Sequence, residues 1–159
     1  MKKVCYLVLC LLIISLATGC TSNTATVPYS SIYIDVFDSY FTFDTALHSD
    51  MKYLAIDLDT LKYATEDDKR LITEHFKEKF NIEVKNASFI DLEKQGLVKD
   101  GNYIDGILLS IDKINVNPFT ITVEGTKFRS GLNAKGIKSV LKKSGGTWKL
   151  KSSNMTWIA

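Results

Sequence analysis

The sequence predicts an α+β domain, with helices packed on one face of a mainly antiparallel sheet that ends in a C-terminal four-stranded meander. Three observations predict it. Apolar residues recur at helical spacing in three separate stretches before residue 96. From Tyr103 onward the period falls to two, and glycine or proline punctuates the runs. The helices come early and the long strands come last, which argues against a doubly wound parallel sheet.

The elements follow in order. In "YSSIYIDVFDSYFTFDTALHSD", Ile32, Val36, Phe37, Tyr40, Phe41 and Leu47 form a helical stripe, with Ser30 or Ser31 as the expected cap. An aromatic stripe at that spacing is ordinarily core. "MKYLAIDL" suits a short strand. "TEDDKRLITEHFKEKF" is the clearest helix: Thr65 caps it, Asp67 and Asp68 sit in its first turn, and Leu71, Ile72, Phe76 and Phe80 make its buried stripe. "NIEVKNA" is a brief strand. "SFIDLEKQG" is a short helix from a Ser88 cap, with Asp91 three residues on, to a Gly96 stop.

The β half follows. "YIDGILLSIDKINV" puts Ile107, Leu109 and Ile111 on one side. "PFTITVEGTKFR" alternates up to Gly125, an expected bulge. "KGIKSVLKKSGGTWKLK" is a hairpin turning at Gly145-Gly146, and "NMTWIA" closes the chain. Inward positions should be Ile107, Leu109, Ile111, Ile121, Val123, Leu141 and Trp148, with Trp148 and Trp157 mostly buried against the helices. The only prolines, Pro28 and Pro118, stand between elements.

The first twenty residues read differently. Lys2 and Lys3 precede fourteen residues, Val4 to Ala17, that are apolar except for Ser15. A helix crossing a bilayer needs roughly 20 apolar residues, so this run suits a signal-peptide core better than a span. Ala17-Thr18-Gly19 then leads into Cys20. The tract resembles the lipobox of bacterial lipoprotein signal peptides, with Leu16 one position further from the cysteine than in the commonest box. The resemblance implies that the Cys20 thiol receives a diacylglyceryl group and that cleavage falls just before it. Residues 1–19 would then be a cleaved signal peptide, 20–30 a polar tether carrying lipidated Cys20, and 31–159 a single domain. The protein would sit on the extracytoplasmic side of the cell membrane, held to the bilayer through its acyl chains. An ordinary secreted protein, cut after a small residue, is the alternative.

Cysteine usage bears on the chemistry. Cys5 and Cys10 lie within the signal and Cys20 would be acylated, so no thiol is left in the domain for a disulfide or a thiolate metal site. Low cysteine use in an exported protein points to a Gram-positive host. The formal charge of +2 comes from Lys2 and Lys3. The rest is divided. Residues 21–112 carry 17 acidic and 9 basic side chains, a net of −8, whereas 113–159 carry nine basic side chains and Glu124 alone, a net of +8. The halves either neutralise each other across the fold or present a basic face to an anionic partner.

Catalytic signatures are missing. There is no G-x-S-x-G, H-E-x-x-H or P-loop, and the two histidines, His48 and His75, read as solvated. Asp57 and Asp59 are too few oxygens for calcium, and Asp100 to Gly106 reads as a turn. No cofactor and no metal site is expected. "GTKFRSGLNAKG" is the most unusual tract. It sets Lys127, Arg129 and Lys135 around three glycines, where backbone amides and cations could hold an anion. Together with Lys138, Lys142, Lys149 and Lys151, these are the candidate anion- or partner-binding residues. Strand alternation should send many of them to one solvent-facing surface, away from the acidic helices.

A helix-led chain ending in an antiparallel meander looks like the NTF2-like or cystatin-like group. Small uncharacterised bacterial lipoproteins share this layout, which implies no activity. The expectation is a lipid-anchored, non-catalytic binding module for a peptide, protein or anionic envelope component, and not for nucleic acid. The alternative is a small cavity enzyme of NTF2-like type. A pocket holding Asp57 or Asp105 would favour it.

Overall fold

The computed structural model describes residues 27–48 and 50–159, without the side chains of Ala46 and Leu47. The predicted signal segment and Cys20 lie outside the described residues, as does the Leu47 side chain of the predicted stripe. Three helices and seven strands follow one another. They are α1 (Tyr29–Tyr40), β1 (Tyr53–Ile56), α2 (Glu66–Phe80), β2 (Glu83–Asn86), α3 (Phe89–Lys94), β3 (Val98–Lys99), β4 (Tyr103–Val116), β5 (Thr120–Ser130), β6 (Asn133–Ser144) and β7 (Thr147–Ile158). Short 3₁₀ turns cover Thr45–His48 and Leu58–Thr60. Among the described residues no helix is long and apolar enough to cross a membrane.

The strands form one open sheet in the order β2-β1-β4-β5-β6-β7, with β3 paired to β4 beside that path. β1 runs parallel to both β2 and β4, and β4 to β7 form an antiparallel meander. The closing "NMTWIA" is not a separate strand. It continues β7 through a register shift at the residues opposite Val140 and Leu141.

Local signals explain where the helices begin. α2 starts with a reciprocal capping box, in which Thr65 Oγ1 accepts from the Asp68 N–H at 3.1 Å and the Asp68 carboxylate accepts from the Thr65 N–H at 2.9 Å. Ser88 and Asp91 repeat this at α3, which Gly96 ends with a positive φ of 70°. α1 departs from expectation. It begins at Tyr29, inside the predicted tether, with Pro28 at its cap position and no side-chain cap. Instead the Ser30 N–H donates to Asp68 Oδ1 at 2.9 Å, so the first turn of α2 satisfies that of α1.

The main core lies between α1 and α2 and one face of the sheet. Ile32, Tyr33, Val36, Phe37 and Tyr40 meet Ile72 and Phe76 above Leu54, Ile56, Ile107, Leu109, Ile111, Ile121, Val123 and Leu141. Leu71 stands outside this core and is exposed. α3 packs on the opposite face, where Leu92 joins Tyr53, Ala55, Ala87, Ile104 and Leu108. The helices therefore do not share one face. β1 is buried on both sides because α2 and α3 sandwich it, and its run Tyr-Leu-Ala-Ile has no polar alternate.

Gly125 sits beside the predicted irregularity, but the extra residue is Asp112, on β4. The glycine serves close approach. A Cβ there would lie 2.3 Å from Ser110 O and 2.8 Å from the Tyr40 hydroxyl. The tryptophans are less buried than predicted. Trp148 is half-buried against the core, and Trp157 is 45% exposed, lying over Gly136 on the sheet face away from α1. Its strand position places it there, because Trp157 pairs with Gly136, whose side points away from the helices.

Candidate functional site

The predicted basic set divides into two groups. Directly opposed residues of an antiparallel pair share a face, and Lys127 of β5 stands directly opposite Lys135 of β6. Both point toward the helix side and are buried, Lys127 to 1% exposure. The expectation that they face solvent is therefore wrong. On β5 the odd positions Ile121 and Val123 face the core, and Lys127 continues that row.

The segment after α1 receives them. Lys127 Nζ donates to Phe43 O at 2.7 Å and to His48 Nε2 at 2.7 Å, with Asp44 O at 3.4 Å. Lys135 Nζ donates to Asp44 Oδ2 at 2.5 Å. Phe41 closes the cluster, its ring 4.9 Å from that of His48 and 5.4 Å from Lys127 Nζ. Asp44 reaches this position with a φ of 55°, a left-handed turn that aspartate tolerates.

Burial and neighbouring charge set the protonation of the cluster. Burial, reinforced by the Lys127 cation, pulls the His48 pKa down to about 4. The ring is thus neutral near pH 7, with its proton on Nδ1 while Nε2 accepts from Lys127. Burial also pulls Lys127 down to about 8, with Asp44 opposing and Lys135 assisting. The hydrogen bond from Lys135 holds the Asp44 carboxyl below its usual range. His48 is therefore not the solvated residue expected. His75 stays partly exposed, with its Nε2 3.2 Å from Asp38 Oδ2 beside Lys79. With its Nζ hydrogens occupied and its chain enclosed, Lys127 pins residues 41–48 to the sheet.

The second group faces outward. Lys138 is opposite Glu124 and bridges it at 3.0 Å. Lys142 and Lys149 are directly opposite each other on β6 and β7, and both are exposed. Lys143 lies 6.0 Å above the Trp148 ring, and Lys151 is exposed at the β7 register shift. None of Lys142, Lys143, Lys149 and Lys151 has a carboxylate within ion-pair distance among the described residues. Arg129 places Nη2 3.4 Å from the Tyr103 hydroxyl with its guanidinium over that ring, and its charge also acts to lower His48.

The carboxylates singled out as possible ligands do not assemble. Asp105 pairs with Lys52 at 3.0 Å and Lys99 at 2.6 Å, and the Asp100-Gly101 turn has positive φ at both residues. Burial raises the half-buried Asp57 carboxyl. Among the described residues no three His, Cys, Asp or Glu side chains are grouped to hold a metal. A cleft of about 400 Å³ beside α3 is lined by Phe89, Leu108 and Phe128 with Ser110, Thr126 and Asn102, and has no titratable group.

Sequence reasoning missed Asp44 and His48 as lysine partners, and Phe119 beside the outward lysines. An aromatic at a Pro-Phe turn between two strands was the available signal for Phe119. Nothing local marks Asp44 or His48, because their partners lie about eighty residues away.

Compared with family models, curated proteins and solved structures, the chain matches none. Fold and site define it as an α+β domain on an open seven-stranded sheet, with one buried and one exposed pair of facing lysines.

Proposed function

We propose that this protein is a membrane-anchored cell-surface lipoprotein whose domain is a non-catalytic binding module for a peptide, protein or anionic envelope component. One observation carries the binding role. Lys142 and Lys149 face each other across two strands, flanked by Lys143 and Lys151, with no carboxylate within ion-pair distance among the described residues. Like charges set directly opposite are unfavourable, and an external anion relieves them. The anchor rests on the lipobox-like Ala17-Thr18-Gly19-Cys20. Helices preceding a meander support an NTF2-like or cystatin-like layout.

Two experiments test this. Cys20→Ala should abolish incorporation of labelled palmitate and release the protein from the membrane fraction. Label that persists on the variant sinks the anchor. The unlipidated domain, titrated at low salt with anionic polymer or anionic vesicles, should bind them. Indifference to both sinks the binding role.

A second reading, the small cavity enzyme, has Lys127 in its favour, since a buried amine near neutral pKa is typical of catalytic lysines. Its enclosure weighs against it. Reductive trapping of an aldehyde on Lys127 in the folded protein would reinstate it.

A further inference from the structure

The two ends of the meander differ. At one end β4 turns into β5 through Asn117–Phe119, closed by Asn117 N–H to Thr120 O at 2.8 Å. The Lys143 N–H reaches across to Phe119 O at 3.1 Å, so this turn is tied to the β6–β7 hairpin. The hairpin turns at Gly145 and Gly146, both with positive φ as such a two-residue turn requires. Phe119 is 77% exposed and Val116 is exposed beside it. The unpaired Lys142, Lys143 and Lys149 surround the same tip. An aromatic at the apex of a proline-rigidified turn, ringed by lysines, matches an anionic bilayer surface: the ring suits the interface and the cations suit the headgroups.

The chain enters at this end too. Thr60 contacts Ile111, Lys62 lines a small cleft with Lys113 and Ile114, and Tyr63 stacks on Tyr29 at 5.3 Å. The start of α1 is thereby placed toward the Val116 end of β4. α1 ends near the middle of the sheet, with Tyr40 at Gly125, opposite Ile111, and the following Phe43 at Lys127. Cys20 precedes Val27 by seven residues, which span at most about 25 Å when fully extended. Of the acids at this end, Asp59, Glu66 and Asp67 are paired with Lys69 and Arg70, Asp68 is engaged by the starts of α1 and α2, and Asp112, beside Lys62 and Lys113 in that cleft, accepts from Thr126 Oγ1. The β6–β7 corner is therefore the basic one.

We propose that the Phe119 turn and the β6–β7 hairpin form the membrane-facing end of the domain. Phe119 inserts at the interface of an anionic bilayer, and Lys142, Lys143 and Lys149 lie on its headgroups. The biological setting rests on the lipid-anchored reading above, but the contact needs no lipid on Cys20. A short tether and a basic tip on the same side hold the domain upright, with the Leu132 end of the sheet turned outward.

The test uses the Cys20→Ser chain starting at residue 20, the cleaved form that the lipobox reading implies without its acyl acceptor. Co-sedimentation compares phosphatidylcholine vesicles with and without phosphatidylglycerol. The chain should pellet with the anionic vesicles and come off as salt rises. Lys142→Glu with Lys149→Glu should weaken the partition at least tenfold, taking about fivefold per basic residue. Phe119→Ser should weaken it by about tenfold, and Phe119→Trp should show a blue-shifted emission on anionic vesicles alone. Lys138→Glu, whose lysine is already engaged by Glu124, should bind nearly as well as the parent. The proposal is overturned by no binding, by an unshifted Phe119→Trp emission, or by an equal loss in Lys138→Glu. Binding to soluble anionic wall polymer but not to vesicles also overturns it. Palmitate labelling of the full chain is scored separately, so failure of the anchor and failure of the docking end give different results.

Discussion

Two pairs of lysines face each other across neighbouring strands, and they have opposite fates. Lys127 and Lys135 look into the helix side and are buried, while Lys142 and Lys149 stand in solvent. In water a facing pair of cations costs a few tenths of a kcal/mol, but enclosed it would cost far more. The buried pair survives because residues 41–48 bring two carbonyls, a carboxylate and a neutral imidazole to it. The exposed pair has received nothing comparable. Lysine is therefore an enclosed structural residue in one pair and an exposed one in the other, where we propose that it meets a partner. What separates the roles is the neighbouring segment, since the two strand pairs are alike.

Truncating one lysine from each pair should give the largest difference. Lys127→Ala leaves Phe43 O and His48 Nε2 buried without their donor, and should cost about 3 kcal/mol in urea denaturation. Lys142→Ala should stay within about 0.5 kcal/mol of the parent. Equal effects would mean that the buried cluster is merely tolerated.

Next in size is the pH dependence. Lys127 has a folded pKa near 8, below its ordinary 10.5, so between those values the unfolded chain holds more protons. Stability should rise as pH goes from 8 toward 10, and Lys127→Met should flatten that rise. His48 has a folded pKa near 4, below its ordinary 6.5, so its contribution should be lost as pH falls from 6.5 toward 4. Urea midpoints across both windows check the two slopes. A parent protein as flat as Lys127→Met above pH 8 would remove Lys127 as the titrating group.

The smallest effect has the opposite sign. Lys142→Glu turns the exposed like-charge pair into an attractive one, and should stabilise the fold by about 0.5 kcal/mol while weakening its hold on anionic surfaces. A destabilised Lys142→Glu would mean that an unseen partner already satisfies Lys142.

The α+β class, the meander, the Thr65 cap, the Ser88–Asp91 pair and most of the core-facing positions are legible in the chain alone. These follow from period and from contacts three or four residues apart, which any reading of the chain can count. The lipobox reading of Ala17 to Cys20 rests on the same kind of local pattern. That α3 crosses to the other face, that Asp68 caps α1, and that Trp157 faces away from the helices emerges only in the folded chain. It alone separated Lys127 and Lys135 from Lys142 and Lys149. Alternation tells which side of a strand a lysine takes. Whether that side is water or core depends on a segment some eighty residues away, and burying a charge is possible only where such a segment arrives with acceptors.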